Sequence, residues 1–395
     1  MNIVVAVDSF KGSLSSAEAG EAVKKGIMKA CPQADVYVSP LADGGEGTVD
    51  ALVSGMGGTI KHLEATGPLG NKISTYYGIL PQKQTAVIEM ASVAGLPLVP
   101  TDKRNPLYTT TYGVGEIIMD AIRSGCRNFI IGIGGSATND GGIGMLQALG
   151  FDMLDENGAA VPFGAIGLKS LASIDDVHVL PELKECHFRI ACDVKNPLCG
   201  QDGCSAVFAP QKGASAAEIV QMDEWLERYA KIAQAKYPRA NPQTPGCGAA
   251  GGLGFAFCTF MDAALESGID IVLDVINLEE HIAKADLVIT GEGRLDRQTV
   301  MGKAPIGVAR IAQRYNKPVI AFAGCVTREA RVCNEHGIDA FFPILRQVTT
   351  MSQAMEPANA QQNMIDTVEQ VFRLLKTSSI SPQKPLTLSR LQMLH

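Results

Sequence analysis

The sequence has few of the features that mark secreted, membrane-spanning or nucleic-acid-binding proteins. Aromatic residues make up 6% of the 395 residues, and the net charge is −7 without a basic tract. This composition argues against a nucleic-acid groove and against a surface that binds anionic lipids. The chain begins MNIVVAVDSF, which lacks the layout of a signal peptide, and no apolar run approaches the length of a membrane span. We expect a cytoplasmic protein with small-molecule ligands and without nucleic-acid or membrane partners.

Three sequence signatures of known chemistry are also absent. The ten cysteines include no C-x-x-C pair, so we expect them to be reduced and mostly buried rather than to bind zinc or form disulfides. No Gly-x4-Gly-Lys-Ser/Thr segment occurs, which excludes a P-loop. No G-x-S-x-G segment occurs and no histidine lies in a glycine-rich motif, which disfavours a serine hydrolase.

Glycine, by contrast, is abundant, and its most informative segment runs from Phe129 to Gly142, reading FIIGIGGSATNDGG. The apolar start predicts a buried strand, and the apolar spacing after Gly142 predicts a helix. Between them lies a polar, glycine-rich loop whose backbone N–H groups can approach an anion at a helix N-terminus. We predict that this loop binds phosphate, and the nucleotide-binding candidates in it are Gly134, Gly135, Ser136 and Asn139. A purely structural crossover is the alternative.

Polar residues follow several other apolar strands of the predicted fold. The candidates are Asp8 and Lys11, Asp43 and Glu46, Asp193 and Asn196, and the group Glu292, Arg294 and Asp296. Loops at the carboxyl ends of parallel strands are where open α/β sheets bind ligands. Asp43 and Glu46 lie among three glycines, and two such carboxylates suit a hydrated Mg2+, with helix capping as the alternative.

The order of the predicted elements indicates an α/β fold. Strands and helices alternate in the last third of the chain, which predicts a parallel sheet, and residues 2–30 have the same β-loop-α pattern. We predict a Rossmann-like, doubly wound parallel-sheet domain built from both chain ends, residues 1–68 and 283–376. A second, mixed α/β domain, residues 69–282, is inserted. Residues 377–395, rich in Ser, Pro and Gln, are predicted to form a loose tail.

Five motifs together resemble the bacterial two-domain glycerate kinases. In order they read DSFKGSLSS, ADGGEGT, GIGGSATNDGG, ACDVKNPL and GEGRLDRQT, and the resemblance covers roughly residues 1–376. It implies transfer of the γ-phosphoryl group of ATP, with Mg2+, to D-glycerate. The resemblance favours the 2-hydroxyl over the 3-hydroxyl, which gives 2-phospho-D-glycerate. The oligomeric state is left open between a monomer and a homodimer.

Phosphoryl transfer depends on positioning, cations and bound metal, and the polar residues are assigned roles on that basis. The metal candidates are Asp43, Glu46, Asp140 and Glu292, and the substrate candidates are Asp8, Lys11, Asn196 and Arg294. Lys303 is predicted to bind phosphate together with the residues of the glycine loop. The catalytic candidates are Asp193, as the group that accepts the hydroxyl proton, with Lys11 and Asp296. For Asp193, an Asx turn into Asn196-Pro197 is the structural alternative.

Two other classes of function stay open at this point. The spacing Gly132-x-Gly134-x-x-Ala137 fits the dinucleotide fingerprint loosely, so an NAD(P)-dependent oxidoreductase is one alternative. However, no acidic partner for the ribose is clear at the end of a following strand. A noncatalytic nucleotide sensor is the other alternative, since it would carry the same phosphate loops.

Overall fold

The computed structural model describes residues 1–81 and 84–377. Its strands are β1 Asn2–Val7, β2 Asp35–Val38, β3 Thr59–Thr66, β4 Lys72–Leu80, β5 Thr85–Glu89, β6 Asn128–Gly132, β7 Asp152–Leu154, β8 Ser173–Asp175, β9 His187–Ala191, β10 Ala264–Glu266, β11 Leu287–Leu295, β12 Val319–Val326 and β13 Ala340–Pro343. The predicted tail at residues 377–395 lies outside the described residues, apart from Thr377.

The α-helices connect these strands and cover the sheets. They are α1 Ser16–Ala30, α2 Thr48–Met56, α3 Ala91–Ala94, α4 Tyr112–Arg123, α5 Ile143–Ala148, α6 Ala165–Ser170, α7 Cys204–Phe208, α8 Ala216–Lys236, α9 Ala249–Met261, α10 Gly268–Val275, α11 Leu278–Lys284, α12 Ala304–Arg314, α13 Met351–Met355 and α14 Pro357–Thr377. Short 3-10 helices cover Leu96–Leu98, Thr101–Lys103, Pro181–Glu185, Pro210–Lys212, Arg297–Met301 and Arg328–His336. Within the described residues, no helix combines the length and apolar character needed to cross a membrane.

The first sheet is parallel throughout and uses both ends of the chain. Its strand order is β13-β12-β11-β1-β2. Alternate residues of β1 enter two different cores: Val5 packs with α1 and α14 on one face, and Val4 packs with α10 and α12 on the other. An apolar strand with helices on both faces is the pattern of a doubly wound sheet. The predicted fold class is therefore confirmed.

The second sheet is mixed and follows the order β10-β9-β6-β5-β4-β3. Strands β5, β6, β9 and β10 run parallel, whereas β3 and β4 pair in antiparallel fashion. Strand β3 belongs to this sheet, although the predicted boundary at residue 68 groups it with the terminal domain. The domain boundaries themselves stay predictions. Strands β7 and β8 form a separate two-stranded ladder.

One apolar core joins the two sheets. It contains Val4 of β1 from the first sheet, Val87 of β5 and Ile130 of β6 from the second, and Leu52 of α2 and Ile269 of α10 between them. Each of these side chains is almost completely buried. Because burial of apolar surface stabilises both sheets at once, the position of one sheet relative to the other is held by packing.

The C-terminal helix α14 is a structural part of the first sheet. Phe372 is fully buried in the cluster that contains Val23 and Ile27 of α1. We predict that Phe372→Ala lowers the free energy of unfolding by about 3–5 kcal/mol, because it removes buried contacts and leaves a cavity. Leu374 on the same helix is 63% exposed, so Leu374→Ala should change this free energy by less than about 0.5 kcal/mol. Urea unfolding followed by circular dichroism measures both, and equal midpoints for the two variants would contradict this packing.

Candidate active site

Two adjoining chambers open at the carboxyl ends of the parallel strands. The cleft chamber, of about 790 Å³, lies between the second sheet and the loop after β2, and includes Gly134, Ser136, Asp193 and Lys212. The switch chamber, of about 430 Å³, lies over β1, β11, β12 and β13, and includes Asp8, Glu292, Arg294, Lys303 and Met355. Both volumes fall in the range of small-molecule sites. Lys11 and Asp43 line both chambers and form the shared wall between them.

The shared wall exists because the loop after β2 contacts the second sheet through its backbone. Gly44 has φ +87°, and a Cβ there would lie 2.7 Å from Ala191 Cβ and from Gly268 Cα. A Cβ on Gly132 would collide with the carbonyl oxygen of Gly44. Glycine is therefore required at both positions, since a side chain at either would separate the loop from the strand ends. The next residue toward the N-terminus, Asp43, is held at the boundary of the chambers.

The switch chamber carries buried carboxylates whose negative charge is only partly offset by hydrogen-bond donors and by Lys303. Burial raises the pKa of Asp8 to about 7, the negative charge of Asp43 adds to this shift, and the N–H of Ser9, 2.6 Å from a carboxylate oxygen of Asp8, opposes it. Burial also raises the pKa of Glu292, although Thr299 donates to it over 2.7 Å and Lys303 Nζ lies 3.3 Å away. Such a group of carboxylates gains stability from a bound cation.

The carboxylates fit Mg2+ only together with a phosphate ligand. Among the described residues, no group of three His, Cys, Asp or Glu side chains converges closely enough to hold a metal ion alone. Mg2+ in phosphoryl-transfer sites is normally held by one or two carboxylates, with waters and substrate phosphates completing the octahedron. Asp8, Asp43 and Glu292 line the switch chamber, and the exposed Glu46 lines the cleft chamber. The donor set therefore suits a metal that arrives with a nucleotide.

Lys212 is a site residue that the sequence did not indicate. Its side chain is almost completely buried, and its Nζ donates to Ser136 Oγ over 2.8 Å and to the carbonyl oxygen of Thr138 over 2.6 Å. In the described part of the chain it has no carboxylate within 4.0 Å, and burial lowers its pKa from 10.5 to about 8. It ends a 3-10 helix in the segment PQKG, where no local pattern marks it as a ligand. The glycine loop thus contributes Ser136, together with Gly134 and Gly135, to a chamber that already holds a buried cation.

Asp140 and Asn139 lie inside the protein rather than at a chamber. Asp140 is fully buried, and its carboxylate accepts hydrogen bonds from the N–H and Oγ1 of Thr111 and from the N–H of Gly142. Its oxygens are thus used to hold α4 against the start of α5, so the predicted metal role is withdrawn. The side-chain amide of Asn139 is also fully buried and donates to Ser205 Oγ over 2.9 Å, so the predicted phosphate role is withdrawn too.

Asp193 and Asp296, the two aspartates predicted to be catalytic, have different surroundings. Asp193, just after β9, lines the cleft chamber and accepts the N–H of Gly268 over 3.2 Å at the start of α10. Burial raises its pKa, and that hydrogen bond opposes the shift. Asp296 lies outside the lining of both chambers, where it caps the following 3-10 helix and pairs with Arg294 over 3.2 Å. Asn196 also lies outside them and donates to the carbonyl oxygen of Asp202.

The glycine-rich start of α9 is locally non-helical and serves packing. Ala250, Gly251 and Gly252 all have positive φ, and a Cβ on Gly251 would collide with the carbonyl oxygen of Thr138. The N–H of Gly141 donates to the carbonyl oxygen of Gly251 over 2.9 Å. The two glycine-rich segments therefore support each other through backbone contacts, and this fixes the loop that presents Ser136.

The fold and the paired chambers define a two-sheet α/β protein with two adjoining cavities of small-molecule size. The model of the glycerate kinase family matches residues 3–376, and the chain belongs to this family. It is 50% identical to the glycerate 2-kinase of Escherichia coli K12 over 91% of this chain and 94% of the relative. It is 47% identical to the glycerate kinase of Haemophilus influenzae over 95% and 99% of the two chains. The crystal structure of a putative glycerate kinase 2 from Salmonella typhimurium superimposes with a TM-score of 0.89 at 48% identity, covering 96% of this chain and 99% of that one.

The lowered pKa of Lys212 predicts a change of stability at alkaline pH. Between about pH 8 and 10.5 the folded protein has released this proton while the unfolded chain still binds it. The free energy of unfolding should therefore receive a positive contribution from Lys212 as the pH rises through this window. Lys212→Met, which has no charge, should lose that contribution, whereas Lys184→Met, at an exposed lysine, should behave like the wild type. Melting temperatures across the window measure this, and parallel curves for wild type and Lys212→Met would contradict a depressed pKa.

Proposed function

We propose that this protein is an ATP- and Mg2+-dependent kinase that phosphorylates D-glycerate at the 2-hydroxyl, giving 2-phospho-D-glycerate. The observation that carries the proposal is the wall shared by two small-molecule chambers. Lys11 and Asp43 line both chambers, so a group attached to one ligand meets the other ligand there. Membership of the glycerate kinase family, and a half-identical relative named glycerate 2-kinase, support the choice of substrate and hydroxyl.

The cations around the shared wall match the charge of a transferring phosphoryl group. Lys11 is exposed to both chambers and is assigned to the phosphoryl group in transfer, while Arg294 and Lys303 are assigned to the other phosphates. In the state described, Lys303 pairs with Glu292 over 3.3 Å, and a bound phosphate would take over this cation. Positioned cations of this kind supply most of the catalysis in phosphoryl transfer.

The metal-holding role is assigned to carboxylates at the same wall. Asp43 and Asp8 are the principal candidates, with Glu292 on one side and Glu46 on the other. When bound, Mg2+ supplies positive charge that neutralises the phosphate oxygens and helps to align them. The shared position of Asp43 explains why a metal held there can serve a phosphate that faces the second chamber.

Asp193 is assigned the proton of the attacking hydroxyl. Its carboxylate lines the cleft chamber, at the end of the apolar strand β9 and beside the N-terminus of α10. As the 2-hydroxyl oxygen forms a bond to the γ-phosphorus, its proton passes to a carboxylate oxygen of Asp193, and the bond from the γ-phosphorus to the bridging oxygen breaks. ADP leaves with that bridging oxygen. A pKa raised by burial makes this carboxylate a stronger base than an ordinary aspartate.

The product of the purified enzyme tests the proposed reaction. With ATP, Mg2+ and D-glycerate, added enolase should convert the product to phosphoenolpyruvate without phosphoglycerate mutase, because enolase dehydrates only the 2-phosphorylated acid. Absorbance of phosphoenolpyruvate reports this. The Mg2+ requirement is measured separately, as glycerate-dependent ADP release without enolase, which a chelator should abolish and added Mg2+ restore. A signal that appears only after mutase is added would mean 3-phosphorylation. ADP release that does not depend on D-glycerate would contradict the kinase assignment.

Replacement of Asp193 by asparagine separates proton transfer from structure. Asp193→Asn keeps the shape and a hydrogen-bond acceptor for Gly268, but removes the basic oxygen. We predict that kcat falls by roughly 10²-fold or more, while the affinity for Mg-ATP and the melting temperature stay near those of the wild type.

Asp296→Asn is the matched control for Asp193→Asn. Asparagine caps a helix about as well as aspartate, so this change keeps the cap outside both chambers. The melting temperature should stay near that of the wild type, and kcat should stay within a few-fold of it. Normal turnover in Asp193→Asn, together with a collapse in Asp296→Asn, would reverse the two assignments.

A further inference from the structure

We infer that the two ligands are divided between the chambers in a definite way, with the adenosine part of ATP in the switch chamber and D-glycerate in the cleft chamber. This inference rests on the proposed function and deepens it. In the sequence, the glycine loop at Gly134 and Gly135 is the more obvious nucleotide site. The topology, the chemistry of the walls and the buried lysine all point to the opposite arrangement.

The topology of the first sheet supplies the first argument. From β1 the chain adds β2 on one side, and β11, β12 and β13 on the other. The strand order therefore reverses between β1 and β11, and nucleotides in open α/β sheets bind in the crevice outside such a switch point. Asp8 follows β1 directly, and Glu292 and Arg294 lie near the carboxyl end of β11. These three residues line the switch chamber.

The second sheet, as described, has no such reversal of strand order. Its strands lie side by side in the order in which they occur in the chain, from β3 through β4, β5, β6 and β9 to β10. No reversal occurs among them, so the topological rule does not predict a nucleotide at their ends. The cleft chamber lies where the loop at Gly44 contacts this sheet.

The walls of the switch chamber combine apolar and charged side chains. Phe10, Ile344, Met351 and Met355 contribute apolar surface, whereas Lys11, Arg294 and Lys303 contribute positive charge. Met351 is 78% exposed and Leu345 is 40% exposed at this chamber, so an apolar surface there lacks a cover. A flat purine ring covers such a surface, and the phosphates of the same molecule reach the cations. One nucleotide can therefore cover the apolar surface with its base and place its phosphates at the cations.

The cleft chamber suits a short hydroxy acid. Lys212 lines it as a buried cation with only neutral partners, Ser136 Oγ and the carbonyl oxygen of Thr138. The negative charge of Asp140 acts on Lys212, but the two form no ion pair within 4.0 Å among the described residues. A carboxylate brought by the ligand would supply that direct counter-charge. With its carboxylate at Lys212, a three-carbon acid has its hydroxyl available to Asp193 in the same chamber. The phosphate chain, in turn, approaches across Lys11 and Asp43.

Two chamber-filling variants test this assignment. Ala354 is partly buried and lines the switch chamber, and Leu98 is 40% exposed and lines the cleft chamber. Ala354→Trp should weaken Mg-ADP binding by at least about 10-fold in isothermal titration calorimetry, a loss of about 1.4 kcal/mol. Its thermal shift with D-glycerate should stay unchanged. Leu98→Trp should give the reverse result, with Mg-ADP affinity kept and the response to D-glycerate lost.

Loss of Mg-ADP binding in Leu98→Trp, or wild-type Mg-ADP affinity in Ala354→Trp, overturns the assignment. The melting temperature without ligand verifies that each variant folds, and Cys325→Trp, at an exposed position of the switch chamber, provides a second blocking variant. Failure of the proposed function can be told apart from failure of the chamber assignment. It would appear in the wild type as ADP binding without glycerate-dependent turnover. A wild-type enzyme that turns over, combined with nucleotide loss in Leu98→Trp, overturns the chamber assignment alone.

Discussion

A backbone contact between the loop after β2 and the strand ends of the second sheet shapes the candidate site. Gly44, after β2 of the first sheet, lies against Gly132 and Ala191 at the strand ends of the second sheet, at distances that leave no room for a Cβ. On the other side, a Cβ on Gly268 would collide with the carbonyl oxygen of Asp43. The loop is therefore held between the strand ends and the start of α10. Because of this contact, one aspartate and one lysine face two chambers at once.

The apolar core shared by the sheets explains how so small a contact keeps its geometry. Val4 of the first sheet and Ile130 of the second belong to one buried cluster, and close-packed interiors resist displacement. Phosphoryl transfer between separate ligands depends on their alignment and on the exclusion of water. A fixed wall would provide the alignment, and the burial of Lys212 would keep the end of the site that we assign to the acid away from water.

Local sequence patterns predicted the elements well, because the signals are local. The β-loop-α pattern predicted for residues 2–30 is β1 and α1, whose start is fixed by a capping box of Ser15 and Glu18, and the apolar run before the glycine loop is β6. The alternation at both chain ends also predicted the parallel sheet. By contrast, the role of Asp140 depends on Thr111, 29 residues away, and Lys212 reaches Ser136 across 76 residues. No pattern in a single segment encodes such pairings. Most of the strand-end candidates line a chamber, but Asn196 and Asp296 do not. Strand-end position also does not show which side chains have their oxygens occupied.

A crystal structure with a non-hydrolysable ATP analogue, Mg2+ and D-glycerate tests the central claim most directly. The claim is that the two substrates occupy different chambers and meet at the wall formed by Lys11 and Asp43. Difference density should show the adenine between Phe10 and Met355, the γ-phosphate beside Lys11, and the glycerate carboxylate at Lys212. Adenine density in the cleft chamber, beside Leu98 and the glycine loop, would contradict the claim.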